Sequence, residues 1–228
     1  LGAAVCASSI QMGLHWSLAM TMAAVSGWIA GSITGIIYTR LKVQALLAGI
    51  LVMTGLYSAN LMIMGRSNIP LDEETTVFSA MPALPGPYLN QLLVLILVCT
   101  IVGLGLYWFL RTDAGIALRA TGNAPTMARS FGINTSFYQT NGLAIANTLT
   151  ALSGALVAQV QLFADINMGI GIVIFGLGAV MIGESLLGKA LNLPGAPLLA
   201  VILGCILFRL IIAFSLQIGA DPLWLRLI

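Results

Sequence analysis

Charge is scarce in this sequence: nine Lys/Arg and seven Asp/Glu make up 7% of 228 residues, where a soluble domain carries roughly a quarter. A water-soluble globule is excluded, because so few charges cannot give a folded chain its polar skin. Histidine is rarer still, with His15 alone. The acids are scattered, so no grouping of His, Cys, Asp and Glu suggests hydrolytic chemistry or a metal site. Cys6, Cys99 and Cys205 stand far apart inside apolar runs and read as small packing residues, not as ligands or a disulfide. No GxxxxGK[ST] loop occurs, so the chain cannot cradle nucleotide phosphates in the P-loop manner. With a net charge of +2 and no basic run, nucleic acid is set aside as a partner. No cofactor is implied.

Apolar sequence is what remains, with 59% hydrophobic residues. Runs of about twenty apolar residues mark membrane-spanning helices, because lipid offers the backbone no hydrogen bonds. Six are expected, at Ser17 to Tyr38, Gln44 to Met64, Leu89 to Leu110, Tyr138 to Val160, Met168 to Leu187 and Gly195 to Ser215. A seventh, Leu1 to Gly13, would reach only about 20 Å as a helix, short of a hydrocarbon core of roughly 30 Å. The expectation is an all-α polytopic membrane protein of about seven segments, the first truncated. It is expected to form a single membrane domain over residues 1–228, with a terminal helix missing at each end.

Cytoplasmic loops retain the excess of Lys and Arg. Alternating the loops puts Arg40, Lys42, Arg111, Arg119, Arg129 and Lys189 on one side, against Arg66 and Arg226 on the other, so the first side is cytoplasmic. The loop from Gly65 to Tyr88 then faces outward with Asp72, Glu73 and Glu74. Its prolines, Pro70, Pro82, Pro85 and Pro87, favour an extended or partly helical cap over the outer mouth. The inner loop, Arg111 to Phe137, is punctuated by Gly115, Gly122, Pro125 and Gly132, a pattern of short helices separated by turns.

Within the spans, Gly27, Gly31 and Gly35 recur at every fourth position, lining one helix face that lets another backbone approach. The sixth span is also glycine-rich, with Gly169, Gly171, Gly176, Gly178 and Gly183, which reads as tight packing or as a thinned helix beside a path. Ser58, Asn60, Asn141 and Asn147 are neutral polar residues that either bond between helices or line a path for a polar solute. Glu184 and Arg209 are the ionisable residues inside spans. Glu184 lies near the cytoplasmic end within reach of Lys189, and Arg209 lies near the outer end where it can snorkel or reach Asp165 or Asp221. His15 and Trp16 suit the headgroup level.

The inner loop reads Leu118-Arg-Ala-Thr-Gly122-Asn-Ala-Pro-Thr-Met-Ala-Arg129-Ser-Phe-Gly132-Ile-Asn134. It resembles the cytoplasmic signature of ABC-transporter permeases of the binding-protein-dependent branched-chain amino acid and ribose type, Arg-Ala-x-Gly-Asp-Asn followed by a short helix and Gly-Ile-Asn. Arg119, Gly122, Gly132, Ile133 and Asn134 fit that spacing; Asn123 and Ala124 stand where the pattern has Asp-Asn. The likeness extends through Leu46-Leu-Ala-Gly-Ile50, Leu56-Tyr-Ser-Ala-Asn60, Ile63-Met-Gly65 and Gly183-Glu-Ser185, and is closest to the branch that works with lipoprotein-type solute receptors.

The resemblance implies a permease that pairs with a second copy or a close relative of itself, two ATPase subunits and an extracytoplasmic binding lipoprotein in the bacterial inner membrane, surrounded by lipid. It implies that a short coupling helix bearing Arg119, Gly122, Asn123, Arg129 and Gly132 docks on the ATPase, with Ile116, Leu118 and Met127 facing apolar surroundings. The cargo is then a small polar solute, an amino acid ahead of a sugar or nucleoside. Ser58, Asn60, Asn147 and Glu184 are the expected path residues. The rival class is a stand-alone secondary transporter or channel, which would need a midplane acid, an acidic ring or paired broken helices, none of which the sequence presents.

Overall fold

A computed structural model describes residues 1–72, 76–78, 87–169, 172–187 and 196–217. Glu73, Glu74, Pro82, Pro85, Gly171, Lys189, Asp221 and Arg226, singled out above, lie outside the described residues. The chain divides into two compact units, Leu1–Met168 and Gly169–Ile228.

The first unit contains α1 (Gly2–Gln11), α2 (Trp16–Arg40), α3 (Ala45–Met64), α4 (Pro87–Arg111), α5 (Asp113–Asn123), α6 (Pro125–Ser130) and α7 (Thr135–Gln161). It also holds two short strands, β1 (Asn68–Pro70) and β2 (Phe163–Asp165). Four described helices, α2, α3, α4 and α7, are long and apolar enough to cross a membrane.

Local chemistry sets their ends. The His15 ring caps the start of α2 by accepting from the Ser17 N–H at 3.4 Å. Gly65, with φ 64°, stops α3 in the left-handed conformation that glycine adopts without strain. Asn134 caps α7, its side-chain oxygen accepting from the Phe137 N–H at 3.2 Å.

The centre of this unit is the antiparallel pair α2 and α7. A Cβ on Gly27, Gly31 or Gly35 would sit 2.5 Å from Ala151 Cβ, 2.6 Å from Ala144 Cα or 2.7 Å from Thr140 Cα respectively, so two backbones touch from Gly27 to Gly35, over about two turns. The Thr39 and Thr140 hydroxyls meet at 3.4 Å at one end of this seam. α1 packs against both helices through small buried residues, among them Cys6, Ala7, Ala19, Ala23, Ala155 and Ala158. Gly2 starts α1 against the Ala151 backbone, halfway along α7, so this 10-residue helix covers only one half of the pair.

The directions of α2 and α7 bring Arg40 and Lys42 to the end where α7 begins, together with Arg129 of α6, whose Nε donates to the Thr135 hydroxyl at 2.8 Å. At the opposite end α1, α3 and α7 finish together. There Ser8 donates to the Ile63 carbonyl at 3.2 Å, and Arg66 donates to Gln11 at 3.1 Å. The strands close this end as an antiparallel ribbon with Asn68 opposite Asp165, Ile69 opposite Ala164 and Pro70 opposite Phe163; Ile69 and Ala164 face the core.

The second unit is a helical hairpin of α8 (Ile172–Leu187) and α9 (Ala196–Gln217). Gly183 fits against the backbone of Ala200 and Gly204, Gly204 against Ala179, and Gly178 against the Phe208 ring. Their apolar stretches, Phe175–Leu186 and Ala200–Ser215, are shorter than the four long spans.

Candidate functional site

The inner loop forms two short helices separated by a turn, as its glycines and Pro125 predict, and the residues placed on one coupling helix, Arg119, Gly122, Asn123, Arg129 and Gly132, are divided between α5, α6 and the turn after them. Thr112 caps α5, accepting from the Gly115 N–H at 3.3 Å, and its own hydroxyl donates to the Phe109 carbonyl at 2.6 Å. Gly115 lies so close to Phe109 and Leu110 that a side chain there would collide with the α4 backbone. Arg119 reaches the same place, Nη2 donating to the Leu110 carbonyl at 3.0 Å. Leu118 packs on α7, 2.8 Å from where a Cβ on Gly142 would stand. α5 is thereby pinned to the last turn of α4 and the first turns of α7.

The break between α5 and α6 falls at Ala124, with φ −146° and ψ 81°. Residues before proline avoid the helical region, and Pro125 occupies the first turn of α6, where a missing N–H costs nothing. Ala124 has no side chain with which to cap α6, the local consequence of alanine where the family pattern has a polar residue. Gly132, with φ 80°, turns the chain from α6 towards α7.

Of the residues expected on this element, Arg119, Gly122, Asn123, Arg129 and Gly132 are all exposed. Ile116 and Met127, expected to face apolar surroundings, are 51% and 61% exposed, and Phe131 beside them is 76% exposed. Ile116 and Leu118 are two residues apart, hence on opposite sides of a helix; once Leu118 packs on α7, Ile116 must point away.

Of the polar residues expected along a path, Ser58, Asn60 and Asn147 stand on α3 and α7 of the first unit and Glu184 on α8 of the second. Asn147 borders the glycine seam, its Cβ 2.8 Å from where a side chain on Gly31 would begin. Its amide donates to the Leu143 carbonyl at 2.9 Å, and Asn141 donates likewise to Phe137 at 3.0 Å, so both are tied to their own helix. Ser58 and Asn60 stand on α3, which packs on α1 and α2. The Asn60 Oδ1 is buried with no hydrogen-bond partner among the described residues.

Glu184 is exposed on α8, at the level where Gly183 meets Ala200. Arg209 follows Phe208, which sits at the level of Gly178, so the two charges are separated by roughly 10 Å along the hairpin. Among the described residues Arg209 forms no ion pair. Asp165 instead accepts from the Asn167 N–H at 2.7 Å. No group of three or more His, Cys, Asp or Glu among the described residues could hold a metal ion.

One polar residue that sequence reasoning passed over is Gln159, near the end of α7 and only 1% exposed. Its Oε1 accepts from the Val77 N–H at 2.9 Å and its Nε2 donates to Cys6 Sγ at 3.3 Å. The available signal was a glutamine inside an apolar run; its partners lie 82 and 153 positions away.

Over residues 1–228 the sequence matches the family of the branched-chain amino acid transport system permease component. The chain belongs to that family. It is 38% identical over 230 residues to the tyrosine transport system permease protein of Clostridioides difficile (strain R20291), covering 100% of this chain and 74% of that protein. It is 36% identical over 230 residues to an uncharacterized protein of Rickettsia prowazekii (strain Madrid E), covering 100% of this chain and 80% of that one. No solved structure matches it. As a member of this permease family with several long apolar helices, the chain is a multi-pass protein of the bacterial inner membrane and a permease component of a transport system.

Proposed function

We propose that this permease is the membrane-spanning subunit of an ATP-driven ABC importer, taking up a small polar solute handed over by an extracytoplasmic binding lipoprotein. Two copies pair across the membrane, and two separate ATPase subunits dock from the cytoplasm on α5 and α6. All seven apolar segments, α8, α9 and the short α1 included, belong to one permease domain. The observation that carries this reading is the bent pair α5–α6. It is pinned to α4 and α7, sits at the end rich in Arg and Lys, and exposes Arg119, Arg129, Met127 and Phe131 as a mixed basic and apolar surface.

ATP-driven closure of the ATPases moves this lever, and α4 and α7 move with it to alternate access. An amino acid is the favoured cargo: the family is named for branched-chain amino acids and the Clostridioides difficile relative for tyrosine. Glu184 and Arg209 do not pair, and the mid-span polar residues Ser58, Asn60 and Asn147 are neutral, which suits a solute without net charge.

The test is reconstitution in liposomes with radiolabelled amino acids, aromatic and branched-chain included. Uptake is expected only when the ATPase, the receptor and ATP are all present. Uptake by the permease alone, driven by an ion gradient, would replace this reading with a secondary transporter.

A further inference from the structure

Thr76, Val77 and Phe78 belong to the loop between α3 and α4, yet all three are buried. Val77 and Phe78 pack against Val94 of α4, with Trp16, Leu95, Val98 and Val160 around them. The segment thus fills a crevice between α4 on one side and α2 and α7 on the other. Its backbone is held from both walls. Gln159 accepts the Val77 N–H at 2.9 Å, and the Asn90 amide donates to the Phe78 carbonyl at 3.4 Å. Gln159 is itself oriented by Cys6, whose sulfur accepts from Nε2. A buried amide and a buried backbone N–H each need a partner, so these bonds fix the segment's register in the crevice.

The helix that carries one wall is α4, whose main packing partner is α5 at the opposite end. Asn90 and Leu110 are 20 residues apart on one helix, about 30 Å. The same rigid rod therefore touches the stopper at its first turn and the α5 lever at its last, through Leu110, Gly115 and Arg119.

We propose that Thr76–Phe78 is a stopper in the outer mouth of the permease, that Gln159 is the positioning residue that latches it, and that α4 transmits the lever's movement to it. This rests on the transport reading above. When α4 tilts, Asn90 and Val94 leave the segment, the Val77–Gln159 bond breaks, and the crevice between α4 and α7 opens to the outside.

The experiment uses the complete transporter in right-side-out vesicles, with Cys99 and Cys205 replaced by serine and Phe78→Cys introduced. The rate of labelling by a membrane-impermeant maleimide, less that of the same chain without Phe78→Cys, reports exposure of the stopper. Labelling is expected to be slow at rest and about tenfold faster in Gln159→Met, the opening that loss of one buried hydrogen bond permits. In the chain that keeps Gln159, trapping the ATP-bound state should raise it similarly. An unchanged rate in a Gln159→Met protein that still assembles overturns the latch. Should that variant not assemble, the chain with Gln159 decides: equal labelling at rest and in the trapped state makes the segment a fixed part of the wall. Absence of ATP-driven uptake by the parent would remove the transport reading, whereas dependence of resting labelling on Gln159 would still establish the latch.

Discussion

The pair α2 and α7 and the helix α4 are built from similar apolar sequence, each with glycine in mid-span, yet they are held in opposite ways. In α2 and α7, 33% of the most apolar stretch is buried inside the protein, against 6% in α4. A side chain on Gly27, Gly31 or Gly35 would strike the α7 backbone, while Gly103 and Gly105 of α4 have nothing within 4 Å. The first two helices are bound from Gly27 to Gly35, over about two turns. The third is gripped at its ends, by Asn90 and Val94 outside and by Gly115 and Arg119 inside. The difference teaches that glycine in a membrane helix carries no fixed meaning: it marks a seam only where a partner backbone lies against it. It also divides the first unit into a pillar packed along its length and a rod held near its two ends.

The sharpest way to break this contrast is to put the same large side chain on both helices. Gly31→Leu should cost on the order of 3 kcal/mol of packing, enough to lower the yield of assembled, detergent-stable permease severely. Gly103→Leu should change stability by no more than about 0.5 kcal/mol. Thermal unfolding of the purified proteins checks both, and equal losses would erase the distinction between pillar and rod. Next in size is Gln159→Met, which leaves the Val77 N–H buried without its partner and should destabilise by about 1–3 kcal/mol. The same melting experiment reads it.

At the cytoplasmic end, Arg119→Glu should leave insertion intact, because Arg40, Lys42, Arg111 and Arg129 still set topology. It should nevertheless weaken co-purification of the ATPase and reduce receptor-stimulated hydrolysis to the basal rate. Arg119→Gln retains a donor for the Leu110 carbonyl and so separates the two duties of the residue: a near-normal hydrolysis rate in that variant would assign Arg119 to bracing α4, not to contacting the ATPase. The smallest effect is expected for Arg209→Gln, since Arg209 is exposed and unpaired among the described residues. Its melting temperature should match the parent's, and a large drop would place the charge in an interface.

What the sequence made legible was whatever rests on hydropathy. Expected spans such as Ser17 to Tyr38 and Gln44 to Met64 coincide within a few residues with α2 and α3, because twenty apolar residues admit one structure in lipid. The short helices of the inner loop could be anticipated from Pro125 and the glycines around it. The residues that the resemblance put on one short helix, Arg119 to Gly132, are divided by the bend at Ala124. That Leu118 rather than Ile116 meets α7 could not be read from α5 alone, because it depends on Gly142 lying 24 residues further along the chain. The β1–β2 ribbon went unread, since three-residue strands are too short to show alternation. Gln159 was missed for the same underlying reason as the pairing of Gly183 with Ala200: both depend on contacts between distant parts of the chain, which local pattern does not encode.

The measurement that bears most directly on the pillar-and-rod account is a pair of spin-label distances in the complete transporter, at rest and trapped with ATP. Labels at Val25 and Ser153 span the α2–α7 seam, and labels at Leu92 and Ser153 span the outer gap between α4 and α7; all three positions are exposed. The account predicts that the first distance stays fixed while the second lengthens, and that neither changes when the ATPase is omitted. Equal movement of both pairs, or a fixed Leu92–Ser153 distance in a transporter that is turning over, would contradict it.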